Sequence, residues 1–173
     1  MQAVATGDGA ALRELCARWE RPLYQLLHRA GAGSEAEDLY QETWLRVVRA
    51  ARSFDPARRF STWLFQIALN LCRDLRRRGV PVPASPDVEQ AADAATGTSR
   101  APVDDAIDAR RLLDALPEPQ REVVVLRVLH DASEAETAEI LGCPRGTVKS
   151  RLHHALARLA GLARGGAADG GVS

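Results

Sequence analysis

Long apolar runs are missing from this 173-residue chain. None approaches the roughly 20 consecutive apolar residues needed to cross a bilayer, and the opening MQAVATGDGA lacks the basic and apolar segments of a secretion signal. A cytoplasmic protein with no membrane contact of its own is expected. Paired cysteines are missing as well. Cys16, Cys72 and Cys143 are far apart, no CxxC occurs, and the pattern fits reduced thiols rather than a disulfide framework or a zinc site. There is no HExxH and no phosphate-binding glycine loop, so catalytic residues, metal and cofactor are all expected to be none. Apolar residues nowhere alternate with a period of two, which excludes half-buried strands. Lysine is nearly absent: Lys149 stands alone beside 22 arginines.

What is present is enough apolar side chain, 46%, to build folded cores, and 27% charged residues. The formal net charge of zero argues at first against a nucleic-acid protein, but it averages unlike segments. Residues 1–78 carry 13 arginines against 9 acids, residues 79–105 carry 5 acids against one arginine, and Cys143 to Arg164 holds five basic residues and no acid. That last stretch has the electrostatic footprint of a phosphate binder. The acidic segment, rich in Pro, Gly, Ser and Thr, reads as a linker.

On both sides of the linker apolar residues recur every three or four positions, so both flanking domains are expected to be helical. In the first, Asp8 can cap a helix to about Ala30 with Leu12, Leu15, Trp19, Leu23 and Leu26 on one face. Ser34-Glu35-Ala36-Glu37 reads as a capping box for a second helix carrying Leu39, Thr43, Val47 and Ala50. Phe54-Asp55-Pro56 ends it, and Ser61 can cap a third helix to Arg78 with Trp63, Ile67 and Leu71 inward. In the second domain Asp104 can cap a helix through Leu116, and Pro117 suits the first turn of the next, which carries Val123, Val124, Leu126 and Val128.

Ser133-Glu134-Ala135-Glu136 is a second capping box, Gly142 suits a left-handed helix end, and Pro144 restarts a helix with Val148, Leu152 and Leu159 inward. Small Ala138, turn Gly142 and packing Val148 together spell a helix-turn-helix. Its second helix would enter a major groove with Arg145, Thr147, Lys149, Ser150, Arg151 and His154 as contact candidates.

The segment LPEPQREVVVLRVLHDASEAETAEILGCPRGTVKSRLHHALARL resembles region 4 of extracytoplasmic-function (ECF) RNA polymerase sigma factors of the sigma-70 family. EAEDLYQETWLRVVRAARSFDPARRFSTWLFQIALNLCRDLRRR resembles region 2 of the same family, in the family's order and spacing. The resemblance implies an all-α protein of two small helical domains joined by a flexible acidic linker: region 2 over 1–78, linker over 79–105, region 4 over 106–164 and a disordered tail over 165–173. It implies an alternative sigma factor, not an enzyme, whose partners are core RNA polymerase (β′ clamp helices and β flap), promoter DNA and an anti-sigma factor as a further candidate.

Carried onto this sequence, the helix EDLYQETWLRVV implies polymerase docking through Asp38, Gln41, Glu42 and Leu45. The SFDPARRF loop and the helix after it imply −10 strand capture by Phe54, Arg58, Arg59, Phe60 and Asn70, because an unpaired strand needs cations for its backbone and rings for its bases. Trp63, at helical spacing from Ile67 and Leu71, is expected in the core. Thr137 stands where the family carries an aliphatic residue, so a buried hydroxyl and a weak point in stability are expected there. Two alternatives stay open on the residues alone. A stand-alone helix-turn-helix regulator would explain the second half only, and a sigma-like interaction module would keep the fold without promoter binding.

Overall fold

A computed structural model describes residues 1–79 and 103–166, with side chains in the second stretch described for 109–164. Every regular element in those residues is helical. One compact unit holds α1 (Gln2–Ala5), α2 (Gly9–Arg29), α3 (Ala36–Ala50) and α4 (Phe60–Arg77); a second holds α5 (Val103–Asp114), α6 (Glu118–Val124), α7 (Glu134–Leu141) and α8 (Arg145–Gly166). Most of the expected linker, 79–105, lies outside the described residues, although α5 already begins at Val103. The expected tail lies outside them beyond Gly166.

In the first unit Asp8 caps α2 as expected, its carboxylate accepting from the N–H groups of Ala10 at 2.8 Å and Ala11 at 3.1 Å. The core forms where α2, α3 and α4 meet. Leu23, Leu26 and Leu27 of α2, Val47 of α3 and Leu64 and Leu69 of α4 are all fully buried, each such side chain stabilising the fold by about 1.5–3 kcal/mol. Leu12, Leu15 and Trp19 are only half-buried, so the buried stripe of α2 lies in its C-terminal half.

Three local expectations are corrected here. The Ser34 capping box does not form: a 3-10 turn, Gly33–Glu35, leads into α3, and Glu35 precedes the helix without a side-chain cap. Glu37, which would have closed the box, instead accepts hydrogen bonds from the Tyr24 hydroxyl and from the Gln41 amide. Ser61 does not cap α4, which begins one residue earlier, at Phe60, after extended Arg59. The inner face of α4 is Leu64, Phe65, Ala68, Leu69 and Cys72, with Leu71 also buried, while Trp63 and Ile67 are half-exposed. Apolar residues occupy so many positions of FSTWLFQIALNLC that the sequence admits more than one inward register.

In the second unit Leu113 and Leu116 pack with Val124 of α6 and Ala155 of α8, and half-buried Leu152 and Leu159 close over them. Arg121 ties the end of α5 to α6, donating to the carbonyls of Asp114 at 3.0 Å and Leu116 at 3.2 Å. Pro117 lies just before α6 rather than in its first turn, and Pro119 occupies that turn. Asp104 falls inside α5, and its side chain lies outside the described residues. After Val124 the helix widens into a π turn, Val125–Leu129. Within this turn Val128 is 58% exposed, whereas Val123 and Leu126 just before it are fully buried.

The helix-turn-helix is built as the local signals require. Ser133 and Glu136 form the reciprocal capping box, at 3.2 and 2.8 Å. Gly142 closes α7 at φ 64°, a conformation that side chains with a Cβ disfavour. The Cys143 N–H reaches back to the Ala138 carbonyl at 3.0 Å, and the Pro144 carbonyl receives the N–H groups of Thr147 and Val148.

Candidate nucleic-acid and polymerase interfaces

Helix α8 divides lengthwise. Val148 and Ala155 are fully buried, which turns Arg145, Lys149, Ser150 and His154 to solvent and leaves Thr147 and Arg151 half-buried at the edge. The Ser150 hydroxyl donates to the Thr147 carbonyl at 3.1 Å and keeps its lone pairs for an incoming donor. His153 is exposed beside His154, the rings 5.7 Å apart and edge to face. Gly146 is exposed one residue into the helix, where a bare backbone permits close approach. Neither His153 nor Gly146 was singled out from the sequence; the buried position of Val148 is the signal that places them outward.

In the first unit the loop between α3 and α4 carries an aromatic group. Phe54 packs on Trp63 at 5.0 Å and on Phe60 at 6.1 Å, and Phe60 continues to Trp19 at 5.8 Å and Trp44 at 6.5 Å. Trp63 therefore belongs to this half-exposed group and not to the core. Arg58 donates to the Gln66 amide oxygen at 3.1 Å, which holds its guanidinium beside the rings. Arg59 is exposed at the start of α4. Asn70 is exposed about three turns further along α4, where its amide oxygen accepts from Arg73 at 3.2 Å. The loop is fixed from within: the Asp55 carboxylate accepts the Ala57 N–H at 2.9 Å, and the Asp55 carbonyl accepts that of Arg58 at 3.0 Å.

On α3, Asp38, Gln41 and Leu45 share an exposed stripe, and Glu42 is half-buried, where it pairs with Arg46 at 3.0 Å. Leu45 is 50% exposed, and Val48, one turn on and not singled out from the sequence, is 43% exposed. An apolar pair of this kind, rimmed by polar side chains, suits a protein partner. The base of this helix is held electrostatically. The Tyr24 and Gln41 hydrogen bonds keep the Glu37 carboxyl below its ordinary range, and burial, then the bond to Glu37, pushes the Tyr24 phenol up. Of the arginines closing α4, Arg76 is used internally, donating to the Ala30 carbonyl at 2.7 Å, and Arg77 pairs with Asp74.

A helix-turn-helix with an outward cationic helix fits a DNA-binding protein. Residues 15–80 match the family described as Sigma-70 region 2, and residues 107–159 the family described as Sigma-70, region 4. The chain is 39% identical over 165 residues to the ECF RNA polymerase sigma factor SigM of Mycobacterium tuberculosis, covering 94% of this chain and 82% of that protein. It is 34% identical over 163 residues to the ECF RNA polymerase sigma factor SigW of Bacillus subtilis, covering 87% of each. Among solved structures, CnrH in complex with the cytosolic domain of CnrY aligns with a TM-score of 0.73 at 29% identity, over 95% of this chain and 94% of that one. The sigma factor RpoE of Bartonella quintana, solved with the anti-sigma factor NepR, aligns with a TM-score of 0.73 at 25% identity, over 88% of this chain and 96% of that one.

The chain belongs to the ECF sigma factors of the sigma-70 family. It is an alternative sigma factor, a non-enzymatic subunit that joins core RNA polymerase and directs promoter-specific initiation. Among the described residues no helix is long and apolar enough to cross a membrane.

Proposed function

We propose that the two units divide promoter recognition. The first, residues 1–78, docks on the β′ clamp helices through Asp38, Gln41, Glu42 and Leu45. It holds the unpaired −10 strand with Phe54, Arg58, Arg59, Phe60 and Asn70. The second, residues 106–164, lays α8 in the major groove of the −35 element, with Arg145, Thr147, Lys149, Ser150, Arg151 and His154 toward DNA. Residues 79–105 are the tether and 165–173 a tail. The protein works in the cytoplasm. CnrH and RpoE were solved with the cytosolic domain of CnrY and with NepR, which supports an anti-sigma factor as a further partner of this chain.

The observation that carries this reading is the segregation on α8: aliphatic side chains inward, cations outward, and no acid from Cys143 to Arg164. Each unit alone would hold DNA weakly, and joint attachment to polymerase raises the effective concentration of the second contact. The test is in vitro transcription with core polymerase from promoters randomised separately at each element. Exchanging residues 53–61 for the loop of another family member should shift −10 preference and leave −35 preference in place. A shift confined to the −35 element refutes the division. Tight binding of the free protein to duplex promoter DNA would favour a stand-alone regulator.

A further inference from the structure

Helix α1 and the loop between α3 and α4 flank an open cleft of about 750 Å3. Gln2 and Ala5 stand on one side; Arg52, Phe54, Arg58 and Phe60 on the other. No carboxylate is among the described residues that line it, so its charge suits a phosphate-bearing strand.

The position of α1 is set by packing. Val4 is buried at 7% exposure, and the Arg52 guanidinium reaches the Ala5 carbonyl at 3.5 Å. Gly7, at φ +90°, turns the chain, and the Asp8 N–H closes on the Ala3 carbonyl at 2.9 Å. Gln2 is left exposed at the rim.

We propose that α1 forms the second wall of the strand-capture cleft and that Gln2 reads a base of the unpaired −10 strand. The inference rests on the strand-capture role proposed for the loop. Rings and guanidinium groups hold a single strand with little sequence preference, because every base offers a face and every nucleotide a phosphate. A neutral carboxamide adds selection by offering a donor and an acceptor together to one base edge. Gln2 carries the one neutral amide among the described residues lining the cleft, and a carboxamide pairs best with a base presenting an adjacent donor and acceptor, as adenine does.

The test uses the full chain with core polymerase on a promoter library randomised across the −10 element. Gln2→Ala should flatten preference at one −10 position by about tenfold, with −35 preference and polymerase affinity unchanged. Gln2→Glu, equal in size but lacking the amide donor, should move preference away from the same base. A double variant, Phe54→Ala with Arg58→Ala, separates two failures. If it opens promoters as well as the parent, the strand-capture reading falls and the inference falls with it. If it impairs promoter opening while both Gln2 variants match the parent at every −10 position, or lower all promoters equally, α1 is a structural cover and the inference alone is overturned.

Discussion

Exchanging Thr137 for valine removes one hydroxyl from the second unit and leaves the shape of the side chain nearly unchanged. Thr137 is fully buried, and its Oγ1 has no hydrogen-bond partner. Thr43 gives the contrast within the same chain: equally buried, its hydroxyl donates to the Leu39 carbonyl one turn back at 2.6 Å. For Thr137 the carbonyl one turn back is that of Ser133, which accepts the residue's own N–H at 2.8 Å while Oγ1 goes unpaired. An unsatisfied buried hydroxyl costs about 1–3 kcal/mol, and the two residues have similar helix propensity. Thr137→Val should therefore stabilise the unit by about 1 kcal/mol at the lower bound, equivalent to about 4–8 °C in a domain of this size. Isoleucine adds a methylene worth about 0.8 kcal/mol where there is room, against about 1–3 kcal/mol where there is none. At a site with no exposed surface, valine should equal or exceed isoleucine. The chain provides its own control, since Trp19, Trp44, Trp63, Tyr24 and Tyr40 all lie in the first unit. In a urea titration, tryptophan fluorescence reads the first unit and far-UV circular dichroism reads both. The fluorescence-silent part of the dichroism transition should move to higher urea while the fluorescence midpoint stays put. A valine variant whose silent transition moves to lower urea refutes the reasoning, because the hydroxyl must then have a partner.

The Glu37 carboxyl, held below its ordinary 4.5 by Tyr24 and Gln41, has a depressed folded-state pKa, so its contribution is present above about pH 4.5 and fades as pH falls through the folded value. Glu37→Gln should flatten the acid limb of first-unit stability, read by fluorescence in urea across that range, and an unchanged limb would count against the bond. Arg145→Ala and Lys149→Ala should each lower the log–log salt slope of promoter binding by polymerase holoenzyme by roughly 0.9; slopes equal to the parent's would move the phosphate contacts elsewhere. Leu45→Ala with Val48→Ala should weaken binding to core polymerase by about tenfold or more, measured by titration with labelled protein. Retained affinity would release that stripe from the docking role.

Legibility in the sequence followed how local the governing interaction was. The Asp8 cap, the Ser133–Glu136 box, the left-handed Gly142 and the buried Val148 each depend on residues within a turn or two, and all were readable in advance. The Ser34 box carried an equally good local signal and did not form: a 3-10 turn leads into α3, and the glutamate that would have closed it accepts from Tyr24, thirteen residues before it on α2. The outward swing of Val128 follows from a π turn, whose extra residue breaks the periodicity on which inward and outward assignments rest. Trp63 was assigned by spacing to the core, yet the neighbouring loop offered it Phe54, and the first residue of its own helix, Phe60, lies beside it as well. The cleft beside α1 had no sequence signal, since it joins residues some fifty positions apart through Val4 and Arg52.

The corner between α7 and α8 also bears on folding kinetics. Each bond that shapes it spans five residues or fewer, from Ser133 to Glu136, from Cys143 back to Ala138 and from Val148 back to Pro144. Closing loops this short takes on the order of 10–100 ns, and contacts this local carry little of the chain entropy that slows folds built on distant pairings. A growing chain that has reached Arg151 already holds every residue these bonds require. Docking of Leu152 and Ala155 onto Leu113 and Val124 then comes late, and substitutions there should act on how fast the unit unfolds more than on how fast it forms.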